Sequence, residues 1–156
     1  MNDYMEKATF AAGCFWHVEE VFSKTNGVKS TAVGYTGGHT DNPTYEDVCT
    51  DKTGHAESIQ VEFDPTEISY SDLVKVFFEN HNPTTPNRQG PDIGIQYRSA
   101  IFCHNTEQEQ AAKEVKEKLN PFAQKTFGSD IVTEIKLTST FYRAEEYHQK
   151  YFQKNS

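Results

Sequence analysis

Twice along the chain, at residues 36–57 and 80–97, hydrophobic periodicity stops while short strand-like and helix-like patterns continue on either side. Both stretches are rich in Gly, His, Asp, Asn, Pro and Thr, and both carry Tyr. Irregular segments of that length are uncommon inside a compact domain unless they perform a task. Solvated linkers would hold more Ser, Lys and Glu and fewer rings. The chain must therefore close its core from short elements and present two long loops for function.

The flanking patterns define those elements. Residues 7–12 read as a strand running into Gly13, and a helical period then places Phe15, Val18, Val21 and Phe22 near one face until Asn26-Gly27. Residues 30–35 and 58–63 read as strands. Ser69 offers an N-cap to a helix with Leu73, Val74, Phe77 and Phe78 on one stripe. Residues 98–103 form another strand. Thr106-x-x-Glu109 reads as a capping box opening a helix with Ala112, Val115 and Leu119 inward, and residues 131–137 close as a strand. The order β-α-β-β-α-β-α-β, with no internal repeat, predicts an α+β fold. The specific expectation is a ferredoxin-like two-layer sandwich, a mixed sheet with helices packed on it and long active-site loops.

With 156 residues the expectation is a single catalytic domain over residues 1–156, whose 11 Phe and 8 Tyr supply much of the core. No stretch approaches the roughly 18 apolar residues of a membrane span. Met1-Asn2-Asp3-Tyr4 lacks the basic and apolar regions of a signal peptide, so a cytoplasmic protein is expected. A formal charge of −8 argues against nucleic acid as a partner. Cys14, Cys49 and Cys103 are an odd set without repeated spacing, which is no disulfide framework. The open question is which thiol reacts.

Cys14 sits where the first strand hands over to the first helix. Backbone N–H groups and the helix dipole there favour thiolate over thiol, against the alternative of an ordinary packed cysteine. Phe15 and Trp16 are adjacent, so one ring is core and the other is free to line a pocket for an apolar group such as a methyl. Cys14-x-x-His17, with Cys49, His39 and His55, superficially suggests zinc, but the second short ligand pair of a structural site is missing, so no metal is expected. A Cys/His hydrolase is a further alternative, with no histidine singled out as its base. Glu57, at the junction of loop and strand, becomes a proton donor at neutral pH if burial raises its pKa. Tyr45 and Tyr97 lie in the loops, where a phenol can donate into a pocket, and Asp92 lies in the second loop.

In combination these residues resemble a known family. Gly13-Cys14-Phe15-Trp16, Gly34-Tyr35-Thr36-Gly37-Gly38, Asn42-Pro43-Thr44-Tyr45 and Thr53-Gly54-His55-Ala56-Glu57 occur in the order seen in type A peptide methionine sulfoxide reductases. Asn80-His81-Asn82-Pro83, Asp92-x-Gly94-x-Gln96-Tyr97-Arg98-Ser99-Ala100-Ile101 and Phe141-Tyr142-x-Ala144-Glu145-x-Tyr147-His148 resemble its later motifs, so the likeness runs from about residue 8 to residue 151. The resemblance implies reduction of the S-epimer of methionine sulfoxide, protein-bound or free, through a Cys14 sulfenic acid, and repair of oxidised proteins under oxidative stress. It implies Cys14 as nucleophile, Glu57 as acid, Tyr45 and Tyr97 as holders of the sulfoxide oxygen and Asp92 as their supporting carboxylate. Phe15 and Trp16 then hold the substrate methyl. No metal or organic cofactor is implied.

Two departures stand out. His17 occupies a position where many relatives carry Gly or a second Cys, and the glycine-rich tail with recycling cysteines found in many relatives is not seen before Ser156. The expectation is a monomer recycled by an external thiol, from thioredoxin or from glutathione with glutaredoxin. Cys49 is the only plausible internal partner for Cys14.

Overall fold

Strand β1 (Glu6–Ala12) is buried from Ala8 onward and lies inside a six-stranded sheet. The computed structural model describes residues 5–155; residues 1–4, on which the signal-peptide reading above rests, and residue 156 lie outside the described residues. Helix α1 (Phe15–Ser23) leads to β2 (Val28–Thr36). A four-residue helix α2 (Tyr45–Val48) lies in the first long loop before β3 (Ala56–Phe63). Helix α3 (Tyr70–Glu79) is followed by a small hairpin, β4 (Arg88–Gln89) and β5 (Asp92–Ile93), then a 3-10 turn at Ile95–Tyr97 and β6 (Ser99–Cys103). Helix α4 (Thr106–Phe127), β7 (Glu134–Leu137), β8 (Tyr142–Arg143), a 3-10 turn at Glu146–His148 and α5 (Tyr151–Lys154) complete the chain.

The sheet order is β7-β6-β1-β3-β2-β8. Its inner four strands, β6-β1-β3-β2, are antiparallel neighbours joined through α1 and α3, which is the expected ferredoxin-like arrangement. Strand β7 adds parallel to β6, making the sheet mixed, and β8 adds antiparallel to β2. On the helix face Phe10 stacks on Phe22 of α1 (5.0 Å) and Phe77 of α3 (5.3 Å). Each such ring removes roughly 150–250 Å² from water, so this stack anchors both helices. Among the described residues the buried apolar cluster on the opposite face is small: Ala11, Ala56, Ala100 and Phe102.

Three details differ from the sequence reading. The cap of α4 is Asn105, whose side chain accepts from Gln108 N at 2.8 Å, so the cap lies one residue before Thr106; the Gln108 side chain accepts from His104 N instead of closing a box. The last long strand starts at Glu134 rather than at residue 131. The two irregular loops contain α2 and the β4–β5 hairpin, elements too short to leave a period in sequence.

Residues 141–151 form a strap across β2. Gly34 permits the crossing, because a Cβ there would stand 2.4 Å from Tyr142 O and 2.6 Å from Phe141 Cζ. The Gln149 carboxamide then continues the sheet edge: it accepts from Val33 N and donates to Val33 O, both at 2.9 Å.

Candidate active site

Cys14 is the N-cap of α1, reached from β1 through Gly13, whose φ of +88° and lack of a Cβ both matter. A side chain at Gly13 would meet Gln89 at 2.8 Å and carries a conformational penalty as well. The backbone N–H groups of Trp16 and His17 at the start of α1 favour the Cys14 thiolate electrostatically. Burial outweighs them, with Glu57 and Asp92 adding repulsion, and the thiol is pushed up to about 11. The helix terminus alone therefore does not ionise Cys14, contrary to the sequence expectation. Cavity walls remove the water that a thiolate needs.

Alternation along β3 turns Glu57 to the helix face with Ile59, Val61 and Phe63. Its side chain is buried, 1 % exposed, and Oε1 accepts from Phe15 N at 3.3 Å. Oε2 has no partner among the described residues. Burial raises this carboxyl to about 8, opposed by the Phe15 N–H. Glu57 is thus mainly a neutral acid at pH 7, one buried oxygen held by the backbone and the other unengaged.

The two phenols join this group. Tyr45 opens α2, which Thr44 caps through Asp47 N; the Tyr45 N–H donates to Glu145 Oε2 at 2.9 Å, and burial, with Cys49 and Glu57 nearby, raises its phenol. Tyr97 closes the 3-10 turn, and burial pushes its phenol up to about 12, with Glu57 the next cause. Asp92 acts electrostatically on Cys14, Glu57 and Tyr97. It lines a cleft of about 470 Å³ with Cys14, His17, Glu20 and Gln89. Phe15 is core, in ring contact with Tyr35 and His148, while half-buried Trp16 stacks on Tyr151 at 3.7 Å.

Some neighbours carried no role in the sequence reading. Gln96 is buried, and its amide is best oriented with nitrogen toward Asp51 Oδ1 (2.9 Å) and Val48 O (3.1 Å). Its oxygen then faces the Cys49 sulfur at 3.4 Å. Glu145 takes hydrogen bonds from Tyr35 Oη (2.8 Å) and Tyr45 N. His148 accepts from Trp16 Nε1 at 3.0 Å. Glu145 and His148 sit in the closing motif Phe141–His148, the one signal in the sequence that pointed to them.

The alternatives fare worse. Cys103 is buried in β6, with Tyr70 Oη 4.0 Å from its sulfur, while Cys49 is exposed at the end of α2. His55 spends its two nitrogens on Gly38 N and Thr40 O, and His17 is exposed against Phe152. Among the described residues no imidazole acts on Cys14 and no cluster of His, Cys, Asp and Glu is arranged for a metal.

A family model described as peptide methionine sulfoxide reductase matches residues 6–156. The chain belongs to that family. This reductase is 59% identical over 150 residues to the peptide methionine sulfoxide reductase MsrA of Methanothermobacter thermautotrophicus, covering 96% of this chain and 88% of that protein. It superposes on methionine sulfoxide reductase A of Corynebacterium diphtheriae with TM-score 0.94 and 39% identity, over 99% of this chain and 76% of the other. Reduced Mxr1 of Saccharomyces cerevisiae gives TM-score 0.89 at 38% identity, over 97% and 86% of the chains. Mxr1 in complex with Trx2 gives 0.65 at 26%, over 94% and 84%. The reductase is an oxidoreductase of methionine sulfoxide with the α+β fold of its relatives.

Proposed function

We propose that the reductase acts on the S-epimer of methionine sulfoxide, free or in oxidised proteins, with Cys14 as nucleophile and Glu57 as proton donor. The observation that carries this reading is the buried, neutral Glu57 beside a thiol at a helix terminus. Sulfoxide oxygen leaves only when protonated, so the site needs an acid and a nucleophile with opposed requirements. Glu57 supplies its proton to the oxygen, with Tyr45 and Tyr97 as hydrogen-bond donors to it and Asp92 as their supporting carboxylate. Positive charge then grows on the substrate sulfur that Cys14 faces, and that charge favours the thiolate which burial disfavours.

Attack transfers the oxygen: Cys14 is oxidised by two electrons to the sulfenic acid and the substrate sulfur is reduced by two to the thioether. The thiol proton replaces the one that Glu57 gave, so no net proton is consumed. Phe15 and Trp16 hold the methyl, for about 0.8 kcal/mol per buried carbon, enough to orient rather than to bind. No bound cofactor enters this scheme.

An outside thiol then reduces the sulfenic acid. The relative crystallised with Trx2 supports thioredoxin as that partner, and glutathione with glutaredoxin is the second donor of the right chemistry. We take the protein as a cytoplasmic monomer; among the described residues no helix is long and apolar enough to cross a membrane.

The test is one turnover without reductant. Mixing with one equivalent of a peptide carrying the S-sulfoxide gives one methionine per chain and a dimedone adduct on Cys14, and the R-sulfoxide gives neither. Methionine formed while Cys14 stays unmodified would exclude this mechanism.

A further inference from the structure

His148 is buried to 1 % exposure, yet the scheme above gives it no task. The 3-10 turn Glu146–His148 sets its ring among those of Phe15 (5.1 Å), Trp16 (5.7 Å), Tyr45 (4.6 Å) and Tyr147 (4.1 Å). Among the described residues the ring's hydrogen-bond partner is the indole N–H of Trp16, 3.0 Å from Nδ1. An indole nitrogen only donates, so Nδ1 must accept and the ring must be neutral with its hydrogen on Nε2. That tautomer leaves Nε2–H buried without a hydrogen-bond partner among the described residues. The arrangement keeps an orphaned donor on one side of the ring in order to hold Trp16 on the other.

Resting on the proposed role of Trp16 in holding the substrate methyl, we infer that His148 is a positioning residue that fixes the indole through its neutral Nδ1 and thereby sets affinity for the sulfoxide. Tyr151, parallel to Trp16 within 6°, fixes the plane of the indole but leaves it free to slide. The bond to His148 removes that freedom. Protonation would set an imidazolium N–H against an indole N–H and break the contact, so affinity falls on the acid side. The groups facing the imidazole are the four rings named above and the Glu145 carboxylate. Burial holds His148 below the ordinary histidine range, and Glu145 opposes that shift.

The chain contains one tryptophan, so its fluorescence reports on Trp16 alone. In the wild-type protein Trp16 emission is expected to be quenched as His148 becomes protonated, below the ordinary histidine value of 6.5. The transition should vanish in His148→Asn and persist in His17→Gln. In single-turnover assays His148→Leu, with no acceptor, should raise the half-saturating sulfoxide concentration about fivefold, the size of one lost neutral hydrogen bond. The maximal rate should move less. Asn carries an oxygen near the place of Nδ1 and should recover most of that affinity. An acid transition retained in His148→Asn, or equal half-saturation for His148→Leu and the wild type, would overturn the inference. Trp16→Leu separates the two layers of the argument. Raised half-saturation in Trp16→Leu beside an unaffected His148→Leu defeats the positioning role alone. An unaffected Trp16→Leu defeats the methyl pocket and the positioning role together.

Discussion

Glu57 is protonated to about pH 8 because the fold buries it, and this has consequences for rate and for stability. Single-turnover rates should fall as pH rises through about 8, where the acid form is lost, and Glu57→Gln should lack that limb while being slower by about 10²-fold. Unfolded, the carboxyl ionises near 4.5, so between there and about 8 the native state binds the extra proton. Stability should therefore decline with rising pH across that window, by up to about 1.4 kcal/mol per unit, and level off above it. Urea midpoints of wild type and Glu57→Gln at several pH values measure this, and a constant difference between them would refute the burial argument. Cys14→Ser should abolish sulfoxide reduction, since an alcohol at neutral pH is a far weaker nucleophile, and Cys103→Ser should retain single-turnover activity. At this scale the sequence was informative on Cys14 and Glu57, which sit at junctions of strand, loop and helix. It gave Gln96 and His148 a place in a motif but no role, because their partners lie in distant segments that only the fold brings near. It also misjudged the resting state of the thiol: a helix terminus is visible in a sequence, but the walls around it are not.

The elements that were legible share a period long enough to see. Phe10, Phe22 and Phe77 mark β1, α1 and α3, and their stack fixes how those three meet. The elements that were not legible, α2, the β4–β5 hairpin and β8, have two to four residues each and exist because tertiary contacts hold them. The start of α4 shows a finer limit. Asn105-x-x-Gln108 and Thr106-x-x-Glu109 both satisfy the capping pattern, and only the backbone decides between them. Asn105→Ala should cost about 1 kcal/mol of stability, while Thr106→Ala should cost no more than a few tenths. Denaturant titration of the two variants distinguishes the caps; equal losses would mean that the N-terminus of α4 lies one residue later.

For the molecule as a whole, the three thiols differ in access: Cys14, the proposed nucleophile, is half-buried, Cys103 is buried and Cys49 is exposed. Cys103 is held in β6 and should not reach Cys14. After one equivalent of substrate without reductant, two thiols per chain should remain titratable, and added thioredoxin should restore the third. Loss of a second thiol, with a Cys14–Cys49 crosslink in the peptide map, would show instead that the protein resolves its own sulfenic acid. The ferredoxin-like order of the inner four strands was readable from the succession of elements. The outer strands were harder to place: β7 reaches β6 only after the long α4 crossover, and β8, two residues long, pairs with β2 only through the path of the strap.

That strap joins two properties usually treated separately. Glu145 and His148 brace Tyr45 and Trp16, while Gln149 a few residues on seals the exposed side of β2 at Val33. A molecule whose strap has peeled away has lost the support of its pocket and at the same time offers an open strand to its neighbours. Inactivation and self-association of this protein should then begin with the same local opening, so that whatever damages the last turns of the chain reduces the number of molecules in solution as fast as it reduces their activity.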